Sequence, residues 1–254
     1  LVCICKYTQL HHRLRNLLFS EIKEQTPDAV AKTLIGEASK LTAKTQSVGA
    51  TAEELVYLDD QMLALLKRLA DERNFALRCD GTDLHFSPRN LAASGSVKLD
   101  WEEDVIDVQT HTDISQVVTS VKVLGRDYVK EQEVDYKASS SDLKGITTGT
   151  SAVDARKKTI GDCDIQINHM ISTGTSSEVK ELAIGELQRR AESFLTGVVV
   201  ATDQTDAQVG QKLEFENGPW PFEGPFLISG VIQVYTPGQL TTTLEFFSDG
   251  ITSL

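Results

Sequence analysis

The spacing of hydrophobic positions changes near Asn74, from the period of a helix to that of a strand. Upstream of it, apolar residues recur every three to four positions and predict an amphipathic helix, with Asp59 or Asp60 as its N-cap. The apolar stripe of that helix comprises Leu58, Met62, Leu65, Leu66 and Leu69. Downstream, the alternation predicts a β-hairpin over residues 75–88 with Asp80-Gly81 as its two-residue turn. This stretch is a packing unit without a catalytic pattern.

Two further helices have clear start signals. Thr26-Pro27-Asp28 combines a capping hydroxyl, a proline at the first helical position and an acid in the first turn. We expect that helix to end near Lys40, with an apolar stripe formed by Val30, Leu34, Ala38 and Leu41. Residues 175–178 fit a capping box ahead of a helix over 177–195, which Gly197 would end. Its stripe comprises Val179, Leu182, Ala183, Leu187, Ala191 and Phe194.

The rest of the chain reads mainly as β-structure. Alternating segments predict strands over residues 1–7, 17–23, 43–48, 97–101, 105–113, 117–124, 129–136, 165–171, 198–202, 212–216, 226–235 and 240–247. Residues 138–162 have no apolar period and predict a long loop. The fold class is therefore α+β and mainly β: an antiparallel β-barrel or strongly curved sheet that carries accessory α elements.

Charge and cysteine content exclude several classes of partner. With 25 basic and 37 acidic residues the net charge is −12, and the sequence has no long basic block. This argues against a nucleic-acid groove and against an anionic membrane surface. No stretch approaches the roughly 20 apolar residues of a membrane span. Cys3, Cys5, Cys79 and Cys163 contain no CxxC pair and are expected to be free thiols.

Catalytic, metal and cofactor motifs are missing from the sequence. There is no nucleophile elbow, zinc-protease helix, P-loop or dinucleotide fingerprint. Neighbouring acids such as Glu102 and Glu103 would diverge on a strand, which does not suit general acid–base catalysis. We therefore predict no catalytic residue, metal site or cofactor. Trp220 and Phe222 lie in a proline-rich turn that could form a sugar-binding platform or plug the end of a barrel.

The order of elements resembles the baseplate hub proteins of contractile-tailed phages, the late control protein D family. That family includes hubs of related contractile injection particles, and the type VI secretion spike protein has a similar hub part. Residues 26–38 resemble its first inserted helix, and residues 59–86 its second helix and hairpin. Residues 226–235 and 240–246 resemble its closing strands.

The resemblance implies two tube-type antiparallel β-barrels per chain and a small inserted α/β unit. Residues 1–20 would then be the end of the first barrel, 21–93 the insertion and 94–254 the second barrel, with the loop 138–162 and the helix 177–195. Because the chain starts at Leu1 within an apolar run rather than at Met, we expect it to be part of a longer protein.

The implied function is structural rather than enzymatic. Three chains would form a ring that joins the hexameric inner tube to the trimeric spike, with tape measure and baseplate wedge proteins as further partners. Nucleic-acid contact and membrane insertion are not required. Assembly would take place in the bacterial cytoplasm, before incorporation into a virion tail or injection particle. Long strands would supply the interface, with Val105, Asp107, Gln109 and His111 on one face and Leu240, Thr242 and Leu244 on the closing strand.

Two other functional classes stay open at this point. A glycan-binding or cell-wall-associated tail protein would use Trp220 and Phe222 as its aromatic patch. An enzyme would require a catalytic domain outside this stretch of sequence. Phage, pyocin-like and toxin-delivery particles are all compatible with the pattern, as is a spike domain beyond Leu254.

Overall fold

A computed structural model describes most of the chain, in nine segments. These are residues 14–17, 26–37, 41–46, 57–89, 95–127, 130–143, 149–168, 175–219 and 224–251, with backbone alone for 14–17, 57–61 and 80. The predicted strand 1–7, most of the predicted strand 17–23, and Trp220 and Phe222 lie outside them.

Strands dominate the described residues. The helices are α1 (Pro27–Glu37), α2 (Met62–Glu72), α3 (Ala152–Thr159) and α4 (Ser176–Glu192). The strands are β1 (Leu14–Leu17), β2 (Thr42–Thr45), β3 (Tyr57–Gln61), β4 (Phe75–Asp80), β5 (Asp83–Pro88), β6 (Ser96–Asp100), β7 (Val105–Thr112), β8 (Ser120–Asp127), β9 (Gln132–Ala138), β10 (Thr150–Ser151), β11 (Asp164–Asn168), β12 (Leu195–Thr202), β13 (Lys212–Glu216), β14 (Phe226–Thr236), β15 (Gln239–Ser248) and β16 (Gly250–Ile251). The structure confirms the α+β, mainly β class, with curled, antiparallel-rich sheets that include a half-barrel.

The chain divides into two compact units. The first contains the described residues up to Arg89 together with Val121–Ala138 and Ile165–Glu186. The second contains Asn90–Ser120, Ser139–Asp164 and Leu187–Leu254.

In the first unit, α1 and α2 share one apolar core with a three-stranded sheet. The sheet order is β2-β5-β4, in which β2 runs parallel and β4 antiparallel to β5. The described members of the two predicted stripes lie in this core, together with the inward residues of the hairpin. Of the other two, Ala38 lies outside the described residues, and Leu58 lies in β3, where only the backbone is described. Its buried members include Val30, Leu34, Leu65, Leu66, Leu69, Phe75, Leu84 and Phe86. Leu41 reaches the same core from beyond the end of α1, which stops at Glu37 rather than near Lys40.

The hairpin is confirmed, but its turn is displaced by one residue. Asp80 pairs with Asp83, so the two loop residues are Gly81 and Thr82 rather than Asp80 and Gly81. Gly81 has φ of 57° at the first loop position, the conformation that a type II′ turn requires there. The glycine therefore sits where positive φ is needed, and the cross-strand register decides which two residues form the loop.

The predicted N-cap of α2 is wrong. Asp59 and Asp60 lie in β3, which pairs antiparallel with β1 through Arg15 and Asp60. Strand pairing satisfies the backbone groups of this segment, so the helix begins only at Met62. Periodicity could not reveal the partner strand, which is more than forty residues away in the sequence.

A second sheet of the first unit, ordered β11-β8-β9, lies beside the N-terminal part of α4. The predicted cap of this helix is confirmed, because the Glu178 amide donates to Thr175 Oγ1 over 3.1 Å. Lys180 Nζ lies 5.3 Å from the ring centre of Tyr136 on β9. Such a cation–π contact stabilises the packing of the helix on the strand.

A buried arginine joins α2 to α4. Its guanidinium lies 3.2 Å from Glu72, 3.6 Å from Glu178 and 3.8 Å from Glu181. The side chains of Arg73 and Glu178 are each only 3% exposed. Gly185 allows α4 to approach the backbone of Arg73 closely, since a Cβ at this position would lie 3.0 Å from the Arg73 carbonyl carbon. A buried charge needs such partners, so the arginine and its carboxylates depend on one another.

The second unit is built on a six-stranded sheet ordered β6-β13-β14-β15-β12-β7. Neighbours pair antiparallel except β13 and β6, which are parallel. An aromatic cluster packs on its inner face, where the Phe246 ring lies 5.0 Å from Phe226 and 5.9 Å from Phe215. Pro237 and Gly238 form the turn between β14 and β15, because Thr236 pairs with Gln239.

The segment 138–162 is not the continuous loop that the sequence predicted. It contains a 3₁₀ turn over Ser140–Asp142, the short strand β10 and the helix α3. Ser151 caps α3 by accepting a hydrogen bond from the Asp154 amide over 3.1 Å. The helix was missed because only its Ala152, Val153 and Ala155 are buried, too few for a visible period.

Gly197 does not end α4, which stops at Glu192; it lies inside β12 instead. A Cβ at this position would overlap the Phe246 ring and come within 2.9 Å of the Gln109 carbonyl oxygen. The glycine therefore provides space for the central aromatic ring of the second unit.

We predict that Gly197→Ala lowers the free energy of unfolding by about 1–3 kcal/mol, because an overpacked core must shift to accept the methyl group. Urea denaturation followed by circular dichroism measures this. Gly36→Ala is the matched control, because no atom lies within 4 Å of its added Cβ and alanine favours helix. Equal stability of the two variants would contradict the packing role.

We predict that Arg73→Met lowers the free energy of unfolding by about 3–5 kcal/mol, because Glu178 then stays buried without a cation. Hydrogen exchange of the α2 and α4 amides measures the loss. Lys67→Met, a change at an exposed position of the neighbouring helix α2, should have little effect. Combining Arg73→Met with Glu178→Gln should recover part of the stability, and no recovery would argue against the ion pair.

Candidate functional site

The edge strand β7 carries part of the predicted interface. Among the described strands, β7 pairs with β12 alone, so its other edge has no strand partner there. Asp107, Gln109 and His111 are exposed and lie opposite Val200, Val198 and Thr196. The sequence therefore placed these three side chains correctly on one face.

Val105 does not lie on the same face as these three residues, because a β-bulge interrupts the register of β7. The register shifts between Val200 and Ala201, so that Asp107 faces Val200 but Val105 faces Ala201. Ala201 is buried, Val105 is half-buried, and the intervening Ile106 is exposed. A β-bulge inserts one residue and changes the side-chain orientation beyond it, which strict alternation cannot anticipate.

On β15, the residues chosen from the sequence point into the core. Leu240, Thr242 and Leu244 are only 8%, 0% and 0% exposed. The Thr242 hydroxyl is satisfied there, because it donates to the Gln204 carbonyl oxygen over 3.2 Å. Any contact made through the face of β15 must use the opposite set of side chains: Thr241, Thr243 and Glu245.

Strand pairing extends this opposite set into a continuous surface over four strands. One row is Ile232, Thr243, Val200 and Asp107; the next is Gly230, Glu245, Val198 and Gln109. We call this surface the outer face of the sheet; it comprises these eight residues together with Val234, Thr241, Thr196 and His111. Ile232 is 55% and Val234 51% exposed.

The outer face combines exposed apolar side chains with an acidic centre. The Glu245 carboxylate lies over Gly230, where an added Cβ would be 2.6 Å from Glu245 Oε2. None of the strands β7, β12, β14 and β15 contains Lys or Arg, although the chain has 25 such residues. A cationic group is therefore the charge that this surface complements.

At the end of β7, the turn is held by a charged side chain. Asp113 Oδ1 accepts a hydrogen bond from the Ser115 amide over 2.8 Å. Hydrogen bonds from the Ser115 hydroxyl and amide hold the pKa of Asp113 below its ordinary value. The carboxylate thus stays ionised and adds to the negative charge near His111.

Ile232, Val234, Val198 and Glu245 were not predicted as interface residues. The sequence did contain a sign of this surface, because the segment 231–235 has apolar residues at both odd and even positions, and so on both faces of β14. Val231 and Tyr235 lie opposite the buried Leu244 and Leu240, whereas Ile232 and Val234 lie opposite Thr243 and Thr241. A strand that is apolar on both faces indicates that both faces become covered.

We also searched the described residues for a metal site and for a membrane-spanning helix. They hold no group of three His, Cys, Asp or Glu side chains placed to bind a metal ion. No helix within the described segments is long and apolar enough to cross a membrane. Cys79 and Cys163 form no disulfide among the described residues, and Cys3 and Cys5 lie outside them.

Comparisons with known proteins identify the fold. No protein-family model and no curated protein matches the chain. Its structure is similar to the 43 kDa tail protein of prophage MuSo2 from Shewanella oneidensis, with a TM-score of 0.67 and 13% identity over 95% of this chain and 71% of that one. A tail protein from Neisseria meningitidis MC58 gives a TM-score of 0.62 and 10% identity over 97% and 74% of the two chains.

A third similar structure belongs to a secretion machine. The Escherichia coli c3393 protein, a component of the type VI secretion system with structural similarity to the T4 bacteriophage tail proteins gp27 and gp5, gives a TM-score of 0.55 and 12% identity. The match covers 96% of this chain and 54% of that one. At these identities the shared property is the fold.

Proposed function

We propose that this chain is a structural hub of a contractile phage tail or injection-system baseplate. The observation that carries the proposal is the similarity of its fold, over 95% of the chain, to a prophage tail protein. The similarity to a type VI secretion component points in the same direction. The resemblance of residues 26–38 and 59–86 to the late control protein D family supports the hub role in particular.

In this role three chains form a ring that joins the hexameric inner tube to the trimeric spike. Residues 1–20 end a first tube-type barrel, residues 21–93 are inserted, and residues 94–254 supply the second barrel. Closed rotational symmetry suits such a permanent component, because it leaves no unmatched interface. The function is structural, without catalysis or a cofactor, and the tape measure and wedge proteins are further partners. The ring assembles in the bacterial cytoplasm and then enters the particle.

The unpaired edge of β7 is our candidate contact with the tube. An exposed strand edge offers backbone donors and acceptors that a partner strand can complete. Gln109 and His111 on this edge are exposed and polar, so they can remain hydrated until the partner binds.

We expect the purified chain to show three times its 27.9 kDa mass in light scattering, alone or once a candidate spike protein is added. Subunit association through a matched interface accounts for this result. Its tube and spike partners should co-elute with the complex, whereas an unrelated trimeric spike should not.

A chain that stays at 27.9 kDa and retains neither partner would contradict the hub role. A chain that forms a trimer but does not bind the tube protein would contradict the β7 contact alone.

A further inference from the structure

Exposed apolar side chains in the second unit occur in two places. In the described part of the chain, the exposed large apolar residues are Ile106, Ile160, Val198, Ile232, Val234 and Tyr235. All but Ile160 belong to β7, β12 or β14 of the sheet, and Val198, Ile232 and Val234 lie on its outer face. Ile160 directly follows helix α3. Large apolar side chains grouped in this way mark interaction surfaces.

The second place combines apolar and basic character. Ile160 is 60% exposed and follows Lys157 and Lys158, which are both exposed. Lys157 Nζ lies 3.5 Å from Asp162, but both partners are exposed, and such surface pairs contribute little stability. We call these three residues, Lys157, Lys158 and Ile160, the basic tip of α3.

The basic tip has the complementary character to the outer face. The outer face surrounds the Glu245 carboxylate with Ile232 and Val198, and its four strands contain no Lys or Arg. In the basic tip, two exposed lysines closely precede an exposed isoleucine. Lysine stems can pack on apolar surface while the ammonium group pairs with a carboxylate.

Both features are exposed within one chain, so they do not cover each other there. Helix α3 is anchored at the end of the sheet where β15 and β7 finish. Its Ala152 amide donates to the Asp249 carbonyl, and the Arg156 guanidinium donates to the Ile114 carbonyl over 2.6 Å. Ile232 lies opposite Thr243, which is five residues, or roughly 17 Å, from the end of β15.

The anchoring also makes the tip rigid. β10 pairs with β16 immediately before α3 begins, and Gly250 permits this approach, since a Cβ there would come within 3.1 Å of the Ser151 Cα. A rigid projection loses little conformational entropy when it binds, which favours a specific contact.

We infer that the basic tip of α3 binds the outer face of the sheet in a second copy of this chain. The contact places Lys157 and Lys158 against Glu245, and Ile160 against Ile232 and Val198. Because two different surfaces meet, the contact is head-to-tail, and the ring of the proposed function requires that the rotation between successive copies closes. The inference rests on the self-association in the proposed function and identifies which surfaces form it.

Charge reversal tests the contact in the whole chain. Glu245→Lys alone, and Lys157→Glu with Lys158→Glu, should each weaken self-association by roughly tenfold or more, because like charges then meet at the contact. Mass is measured by light scattering over a dilution series. Combining all three substitutions should restore the wild-type mass, which damage to the fold could not mimic.

The controls separate this contact from other effects. Lys212→Glu reverses an exposed lysine on β13 of the same unit and should leave the mass unchanged. Ile160→Ser should weaken association without changing the charge. The far-UV circular dichroism spectrum of each variant should match that of the wild type, whereas the melting temperature falls with dissociation because association stabilises the folded chain.

Three outcomes would overturn the inference. Reversals that leave the threefold mass intact would place the self-contact elsewhere, while the hub proposal stands. A combined variant that stays dissociated would exclude the pairing of these charges. A wild-type chain that never self-associates would exclude the contact, and co-elution with the tube and spike proteins would then decide the hub role separately.

Discussion

The antiparallel register of β12 between β15 and β7 is the constraint on which the second unit depends. All eight residues of β12 pair with β15, and Gly197 within it leaves space for the Phe246 ring beneath. Because side chains alternate along each strand, this register assigns every neighbouring residue to the core or to the outer face. The bulge near Ile106 is the point at which the assignment changes on β7.

The first unit depends on an apolar core together with one buried ion-pair cluster. Its apolar core unites α1, α2 and the hairpin, and the sequence pattern encodes this core almost completely. The hydrophobic pattern does not predict the role of Arg73, whose guanidinium is buried beside Glu178 and Glu181. Apolar burial thus provides most of the stability of this unit, while the ion pair joins α2 to α4.

Charge distribution connects the fold with the proposed role. The four strands that form the outer face contain Asp107 and Glu245 but no Lys or Arg, whereas α3 presents lysines near an exposed isoleucine. A protein with a net charge of −12 would repel its own copies unless local surfaces were complementary. Keeping basic residues out of these four strands and placing them on a projecting helix provides such complementarity within one sequence.

Local patterns by themselves determined α1, the hairpin after Asn74, the Thr175 cap and most strands, because each depends on residues adjacent in sequence. They also placed Asp107, Gln109 and His111 on one face. Only the tertiary structure assigned Asp59 and Asp60 to a strand, buried Leu240, Thr242 and Leu244, and exposed Ile232 beside Glu245. Those outcomes depend on which distant strand pairs with which and in what register, and that choice is made by long-range backbone pairing and core packing rather than by local periodicity.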